Sequence, residues 1–298
     1  MKSLICADLH LKAKDQFGIQ KDIKGIRVDT RTIYKINKFM EIIEHHNPDR
    51  VFICGDLFDS FRSVEWIRGQ FFGKVTALDV PIYLLAGNHE IKNSFPVGYA
   101  ESSVNNSVSV IRSNGIKIMD DFTLVGYTRD WDSFESLTKD CKSKYLLYHG
   151  DPLPFSTSYE QVFAGHNHLH SVEGNFHSIG SLFVDSWAEE EQEKGYYIID
   201  NDVITYHVNS DLKLKTYTEL CEPSDEYDFV RFKLKGKPSM LRDINVSELK
   251  EKYFVDIEIE KEEVKSFEDI NVTINNFLKE QDLLKSQISF GKQILKGV

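Results

Sequence analysis

The 298-residue sequence predicts an α/β fold. Three observations carry that class. Short apolar runs alternate with helical periods over the first ninety residues, the later half is rich in strand-like runs, and five strand ends carry a carboxylate, an amide or an imidazole. With 41% apolar and 28% charged residues, the chain is long enough to bury one large core and carry a small appended unit. That composition excludes collagenous, coiled-coil and wholly disordered chains.

The first strand is expected over Ser3-Leu4-Ile5-Cys6-Ala7, ending at Asp8. From Val28 to His46 apolar residues recur at Val28, Ile33, Ile36, Phe39, Met40 and Ile43, the spacing of a helix that Pro48 closes. Val51–Cys54 reads as a buried strand, Val64–Ala77 as a second helix and Pro81–Leu85 as a further strand. Strand-like runs follow at Val108–Ile111, Phe122–Tyr127, Lys144–Tyr148, Gln161–Phe163, Gly195–Ile199 and Val203–Val208, which suggests a second sheet. Past residue 222 the pattern restarts with strands at Phe229–Leu234 and Tyr253–Ile259 around a helix at Asn245–Glu251. Ser266 and Asp269 form a capping box for one more helix. The expected organisation is a main domain over 1–220, a small α+β capping domain over 221–280 and a tail over 281–298.

No apolar run approaches the ~18 residues of a membrane span, so no membrane partner is expected. The opening MKSLICADLH turns polar too early for a secretory signal. Cys6, Cys54, Cys141 and Cys221 show no CxxC spacing, which argues against a disulfide framework or a zinc ribbon. Cys6 and Cys54 read as buried free thiols, and the expected location is cytoplasmic.

A net charge of −11 is a poor footprint for unspecific nucleic-acid binding. Its distribution is uneven. Between Lys12 and Lys38 stand eight basic residues, among them Lys12, Lys14, Lys21, Lys24, Arg27 and Arg31, against three acidic ones. The acidic run Glu189-Glu190-Glu191-Gln192-Glu193 is expected to be a solvated loop.

Asp8 and His10 follow the first strand as D-x-H. Asp56 and Asp59 follow the second in Gly55-Asp56-Leu57-Phe58-Asp59, and Asn88, His89 and Glu90 follow Gly87 after the third. His149 follows Tyr145–Tyr148, and His166 and His168 follow Gln161–Phe163 in Gly165-His166-Asn167-His168. Ligand sites assemble at strand ends in α/β sheets. An Asp/Asn/His set without thiolate suits Mn²⁺, Fe²⁺, Zn²⁺ or Mg²⁺, and more ligands are present than one ion can use. A two-metal centre is the economical reading.

These motifs, in this order, resemble those of the calcineurin-like metallophosphoesterases. The resemblance implies a four-layer αββα sandwich of two mixed sheets. It also implies that Asp8, His10, Asp56 and His168 hold one ion and that Asp56, Asn88, His149 and His166 hold the other. His89 would contact the phosphate and protonate the leaving oxygen. Mn is the preferred metal, with Mg as the alternative.

GDLFD without Arg-Gly after Asp59, the helix ahead of it and the Glu193-Lys194-Gly195-Tyr196 stretch resemble the SbcD branch of double-strand-break nucleases, in a compact form like phage-encoded members. That branch implies DNA as substrate, a homodimer and an SbcC-type coiled-coil ATPase as partner. The basic stretch then either grips backbone phosphates or forms an ordinary solvated face. Asp59 has three readings: orienting Asp56, capping the next helix or positioning DNA. Where some members carry a histidine there, the end-unpairing role of that histidine is not carried over. The tail, with Leu283, Leu284, Ile288 and Phe290 among lysines, either docks the ATPase or packs on the small domain. Two rivals stand beside the nuclease: a small-molecule or phosphoprotein phosphoesterase, and a non-catalytic scaffold.

Overall fold

The computed structural model describes residues 1–23, 26–60, 65–92, 95–96, 108–241 and 244–259. The capping box at Ser266 and Asp269, the 281–298 tail, Lys24 and Val64 lie outside these. Two compact units form, Met1–Asp211 and Leu212–Val298.

In chain order the first unit opens with β1 (Lys2–Cys6), β2 (Gln20–Ile23), β3 (Ile26–Asp29), α1 (Thr30–His46), β4 (Arg50–Cys54), α2 (Glu65–Val75) and β5 (Ile82–Leu85). It continues with β6 (Ile91–Lys92), β7 (Phe95–Pro96), β8 (Val108–Ile111), β9 (Ile116–Met119), β10 (Phe122–Val125), α3 (Trp131–Thr138), β11 (Tyr145–His149) and β12 (Gln161–Gly165). It ends with β13 (Ser171–Glu173), β14 (Phe176–Ser178), a 3₁₀ turn at Trp187–Glu189, β15 (Gly195–Asp200) and β16 (Val203–Val208).

Two six-stranded mixed sheets result, ordered β16-β15-β1-β4-β5-β8 and β13-β14-β12-β11-β10-β9. In the first, β1, β4, β5 and β8 run parallel, whereas β15 is antiparallel to β1 and to β16 on its other side. In the second, β10, β11, β12 and β14 are parallel, with antiparallel β9 and β13 outside them. The period-2 alternation of side chains sorts the core into layers. Ile5, Phe52, Cys54 and Leu85 of the first sheet pack with Phe122, Leu124, Tyr145, Leu147 and Phe163 of the second. Their neighbours Leu4, Cys6, Val51 and Ile53 face the other way, onto Ile36, Phe39 and Ile43 of α1 and Ile67 and Phe71 of α2. On the outer face of the second sheet Leu146, Tyr148, Val162 and Ala164 meet Phe134 of α3. The fold is the four-layer αββα sandwich, with strands buried on both faces as parallel sheets require.

The second unit begins earlier than residue 221, because β17 (Leu214–Tyr217) pairs in parallel with β18 (Phe229–Gly236). There β18 also pairs with β19 (Phe254–Ile259), and α4 (Pro238–Leu241) and α5 (Val246–Lys252) lie between them in the chain. Val230, Phe232, Leu234 and Leu241 form its small core.

Two sequence expectations are corrected. The helix expected from Val28 starts at Thr30, because Val28 pairs with Lys21 in the β2–β3 hairpin and Asp29 is the N-cap, accepting from Arg31 N and Thr32 N. The acidic run is not wholly solvated: Glu189 is 5% exposed. Cys6, Cys54 and Cys141 are buried free thiols and Cys221 is an exposed one. Among the described residues no helix is long and apolar enough to cross a membrane.

Candidate metal centre

The chain leaves five parallel strands at their C-terminal ends and turns sharply at each. A backbone ladder ties the first two turns together: Asp8 N donates to Gly55 O, His10 N to Asp56 O and Leu11 N to Leu57 O, at 3.1, 3.0 and 2.9 Å. Asp8, His10, Asp56 and His166 have φ of 53, 44, 47 and 97°, a region that costs non-glycine residues energy and is concentrated at functional sites. The turns must also be thin. A Cβ on Gly87 would come 2.0 Å from Asp56 Oδ1, and one on Gly55, itself at φ 86°, would come 2.1 Å from His149 Nδ1.

One oxygen of each central carboxylate is anchored by backbone. His89 N donates to Asp56 Oδ1 at 3.0 Å and His166 N to Asp8 Oδ2 at 2.9 Å. The other oxygens face the site. Asp56 Oδ2 lies 3.4 Å from His149 Nε2, 3.8 Å from His10 Nε2 and 3.9 Å from His89 Nε2. Asp8 Oδ1 is buried with no hydrogen-bond partner.

The imidazoles are held from behind. His149 Nδ1 donates to Cys54 O at 2.9 Å, His168 Nδ1 to Glu189 Oε1 at 2.8 Å, and His10 Nδ1 faces Asp59 Oδ1 at 3.4 Å. With Nδ1 of His149 and His168 so engaged, Nε2 is the nitrogen that each turns to the site. His10 Nε2 and His168 Nε2 stand 3.0 Å apart, and Asn88 Oδ1 lies 2.8 Å from His149 Nε2 and 3.0 Å from His166 Nδ1. Acceptors converging on acceptors, together with an orphaned buried carboxylate oxygen, are the arrangement that divalent cations satisfy. The residues therefore fit a metal centre, and ligand atoms within 4.8 Å of one another form three overlapping groups among the described residues: Asp8/His10/His168, His10/Asp59/His89 and Asp56/His149/His166.

The electrostatics point the same way. Burial alone would lower the pKa of His149, yet Asp56 and then Asp8 hold it up at about 9. Burial would raise Asp56, but His149, then His10 and His89, outweigh it and keep the carboxyl well below the usual range. Burial pushes Asp8 up, and His149 offsets only part of that. The cluster draws positive charge to itself.

All eight residues expected at the site, counting His89, meet here. His89 Nδ1 donates to Asp59 O at 2.6 Å. Asp59 directs its carboxylate at His10 Nδ1, 3.4 Å away, and at Lys12 Nζ, 4.0 Å away. The basic stretch divides. Lys12 pairs with Asp185 at 2.7 Å, and Arg31 is buried on Asp211 and Val184 O. Arg31 is therefore corrected from a phosphate contact to a structural ion pair. Lys14, Lys21 and Arg27 are exposed.

Two residues of the site were given no role by the sequence reading, although Glu90 was named in its cluster. Glu90 is fully buried and accepts from Phe58 N at 2.7 Å and Gly87 N at 2.9 Å, clasping the Asp56 and Asn88 turns; burial, then Asp56, raises its pKa to about 7. Its place in Gly87-Asn88-His89-Glu90 was the available signal. Glu189 stands behind His168, and nothing in an acidic run announces that.

A two-sheet sandwich with carboxylates and imidazoles converging at its strand ends defines a metal-dependent hydrolase class. The calcineurin-like phosphoesterase family model matches residues 1–214, and the chain belongs to that family. It is 27% identical over 206 residues to the DNA double-strand break repair protein Mre11 of Methanococcus maripaludis, which covers 55% of this chain and 54% of the relative. The chain thus matches about half the length of that curated relative. Among solved structures it is similar to an archaeal phosphodiesterase, with TM-score 0.40, 15% identity, and 70% of this chain and 100% of that chain covered. It is also similar to the Pseudomonas putida nuclease MPE, with TM-score 0.34, 14% identity and coverage of 76% and 81%.

Proposed function

We propose that this chain is a DNA exonuclease and endonuclease subunit that hydrolyses phosphodiester bonds with two divalent cations, Mn²⁺ in preference to Mg²⁺. The observation that carries the hydrolytic part is the pair of acceptor clusters meeting at Asp56. Asp8, His10, Asp56 and His168 would hold one cation and Asp56, Asn88, His149 and His166 the other. When bound, such a pair supplies Lewis acidity and a water nucleophile at neutral pH.

The chain's own residues do the rest. The bond to Asp59 O fixes the His89 ring and leaves Nε2 for the substrate. With a side chain 40% exposed, that nitrogen reaches a phosphoryl oxygen or delivers a proton to the leaving oxygen. DNA is the proposed substrate because GDLFD is followed by Ser60-Phe61 rather than the Arg-Gly of protein phosphatases, and because the curated relative is named for double-strand-break repair. Lys14, Lys21 and Arg27 would supply phosphate contacts, with Lys12 beside the site. A homodimer and an SbcC-type ATPase complete the proposal, and its location is the cytoplasm, that of the host for a phage-encoded protein.

Degradation of end-labelled linear duplex DNA in Mn²⁺ tests this reading. Wild type should produce a ladder. His89→Ala should slow it on the order of 10²–10⁴-fold, and Asp56→Ala should abolish it, both proteins keeping wild-type circular dichroism. DNA left intact even with the ATPase added, alongside cleavage of an aryl phosphate, would replace the nuclease by a small-molecule or phosphoprotein phosphoesterase.

A further inference from the structure

Glu189 belongs to no motif of the site. It closes the 3₁₀ turn Trp187–Glu189 and is 5% exposed. Every part of its carboxylate is engaged: Oε1 accepts from His168 Nδ1 at 2.8 Å, and Oε2 accepts from Asp185 N at 2.9 Å and from Lys194 Nζ at 2.9 Å. Lys194, 2% exposed, also donates from Nζ to the backbone carbonyl of His168 at 3.1 Å and to Gln192 Oε1 at 3.0 Å. His168 is thus gripped twice by one loop, through its ring by Glu189 and through its backbone by Lys194.

The same loop reaches the opposite side of the site. Asp185, whose N–H Glu189 holds, pairs with Lys12 at 2.7 Å and with the buried Lys35 at 2.8 Å. Lys12 follows His10 by two residues, and His10 Nε2 is the atom facing His168 Nε2 at 3.0 Å. The loop therefore ties together the two imidazoles of a single cluster while touching none of Asn88, His149 or His166 among the described contacts.

We propose that Glu189 is a positioning residue for one half of the metal centre: it fixes the His168 tautomer with the proton on Nδ1, so that Nε2 is held as a ligand, and Lys194 locks Glu189 in place. Outer carboxylates of this kind orient the imidazole and raise its basicity, and their loss costs about 10- to 100-fold in metal affinity. The effect is selective, because among the described residues the candidate ligand that this carboxylate contacts is His168, a member of the Asp8/His10/His168 group. The inference rests on the two-metal reading of the site.

Mn²⁺ titration calorimetry of the full chain separates the two claims. Wild type should take up two equivalents, and His168→Ala should weaken one of them; no uptake by wild type, or no effect of His168→Ala, overturns the metal reading itself and the inference with it. Glu189→Ala should weaken the same equivalent as His168→Ala by about 10- to 100-fold and leave the other unchanged. Glu189→Asp keeps the charge beside Lys194 but withdraws the carboxylate by one methylene, so it should melt near wild type and lose the same affinity. In the metal-free protein, long-range ¹H–¹⁵N spectra should show His168 protonated on Nδ1 in wild type and a tautomer mixture in Glu189→Asp. If His168→Ala loses one equivalent while both Glu189 variants keep two wild-type affinities and the wild-type tautomer, the positioning role is refuted and the metal reading survives.

Discussion

Asp8 shows what a ligand position asks of a residue before any ligand arrives. Its backbone is at φ 53°, where an L-residue with a side chain is disfavoured by about 1–2 kcal/mol. Its Oδ1 is buried without a hydrogen-bond donor, and burial raises its pKa because the charged form has lost water. Asparagine tolerates the left-handed region better, keeps an acceptor for His166 N and carries no charge to desolvate. In metal-free protein Asp8→Asn should therefore raise Tm by a few degrees, equivalent to about 1–3 kcal/mol, while Mn²⁺ should no longer raise it further. Scanning calorimetry with and without chelator reads both. A metal-free Tm at or below wild type would show that the unpaired oxygen carries no strain.

At the level of elements, α1 is fastened by a side chain rather than by its own propensity. Asp29 is buried and accepts from Arg31 N and Thr32 N at 2.9 and 3.1 Å, from Asp15 N at 3.2 Å and from Gln20 Nε2 at 2.6 Å, so it caps the helix and closes the loop that follows His10. Asp130 caps α3 with one bond to Ser133 N, near solvent. Asp29→Ala should cost roughly 3 kcal/mol, since several buried N–H groups lose their acceptor, whereas Asp130→Ala should cost about 1 kcal/mol. Urea midpoints compare them directly, and equal losses would mean that the Asp29 contacts are dispensable.

The alternation of β1, α1, β4, α2 and β5 was legible because each strand is a continuous apolar run and each helix has a 3.6-residue stripe. The β2–β3 hairpin was not: Gln20-Lys21-Asp22-Ile23 shows neither pattern, being held by pairing and by Asp29. The same contrast governs the site. Its inner residues directly follow apolar strands and could be read in order. Those behind them come from remote loops, as Glu189 does behind His168, or from backbone, as Cys54 O does behind His149, and only the folded chain brings them there.

For the whole molecule, every group proposed to hold metal lies in the Met1–Asp211 unit, and so does a buried histidine, His177, that makes its stability depend on pH. His177 on β14 is 8% exposed; its Nε2 donates to Gln161 Oε1 at 2.6 Å, and Tyr197 Oη lies 3.1 Å from its Nδ1. Burial, with His170 nearby, lowers its pKa to about 4. The unfolded chain takes up this proton near pH 6.5, and the native state refuses it until about pH 4. The sign follows: above pH 6.5 both states are neutral here and stability is flat, and between 6.5 and 4 protonation favours the unfolded state by up to about 1.4 kcal/mol per pH unit. His46 on α1, also lowered to about 4 by burial and by His207, acts in the same window. His177→Gln cannot titrate, whereas the carboxylates contribute equally in both proteins and cancel. Urea unfolding of chelator-treated protein at pH 7.0, 5.5 and 4.5 should therefore show a shallower loss of stability in His177→Gln than in wild type. Parallel curves would mean that His177 charges freely in the native sheet, and that its bond to Gln161 does not hold it neutral.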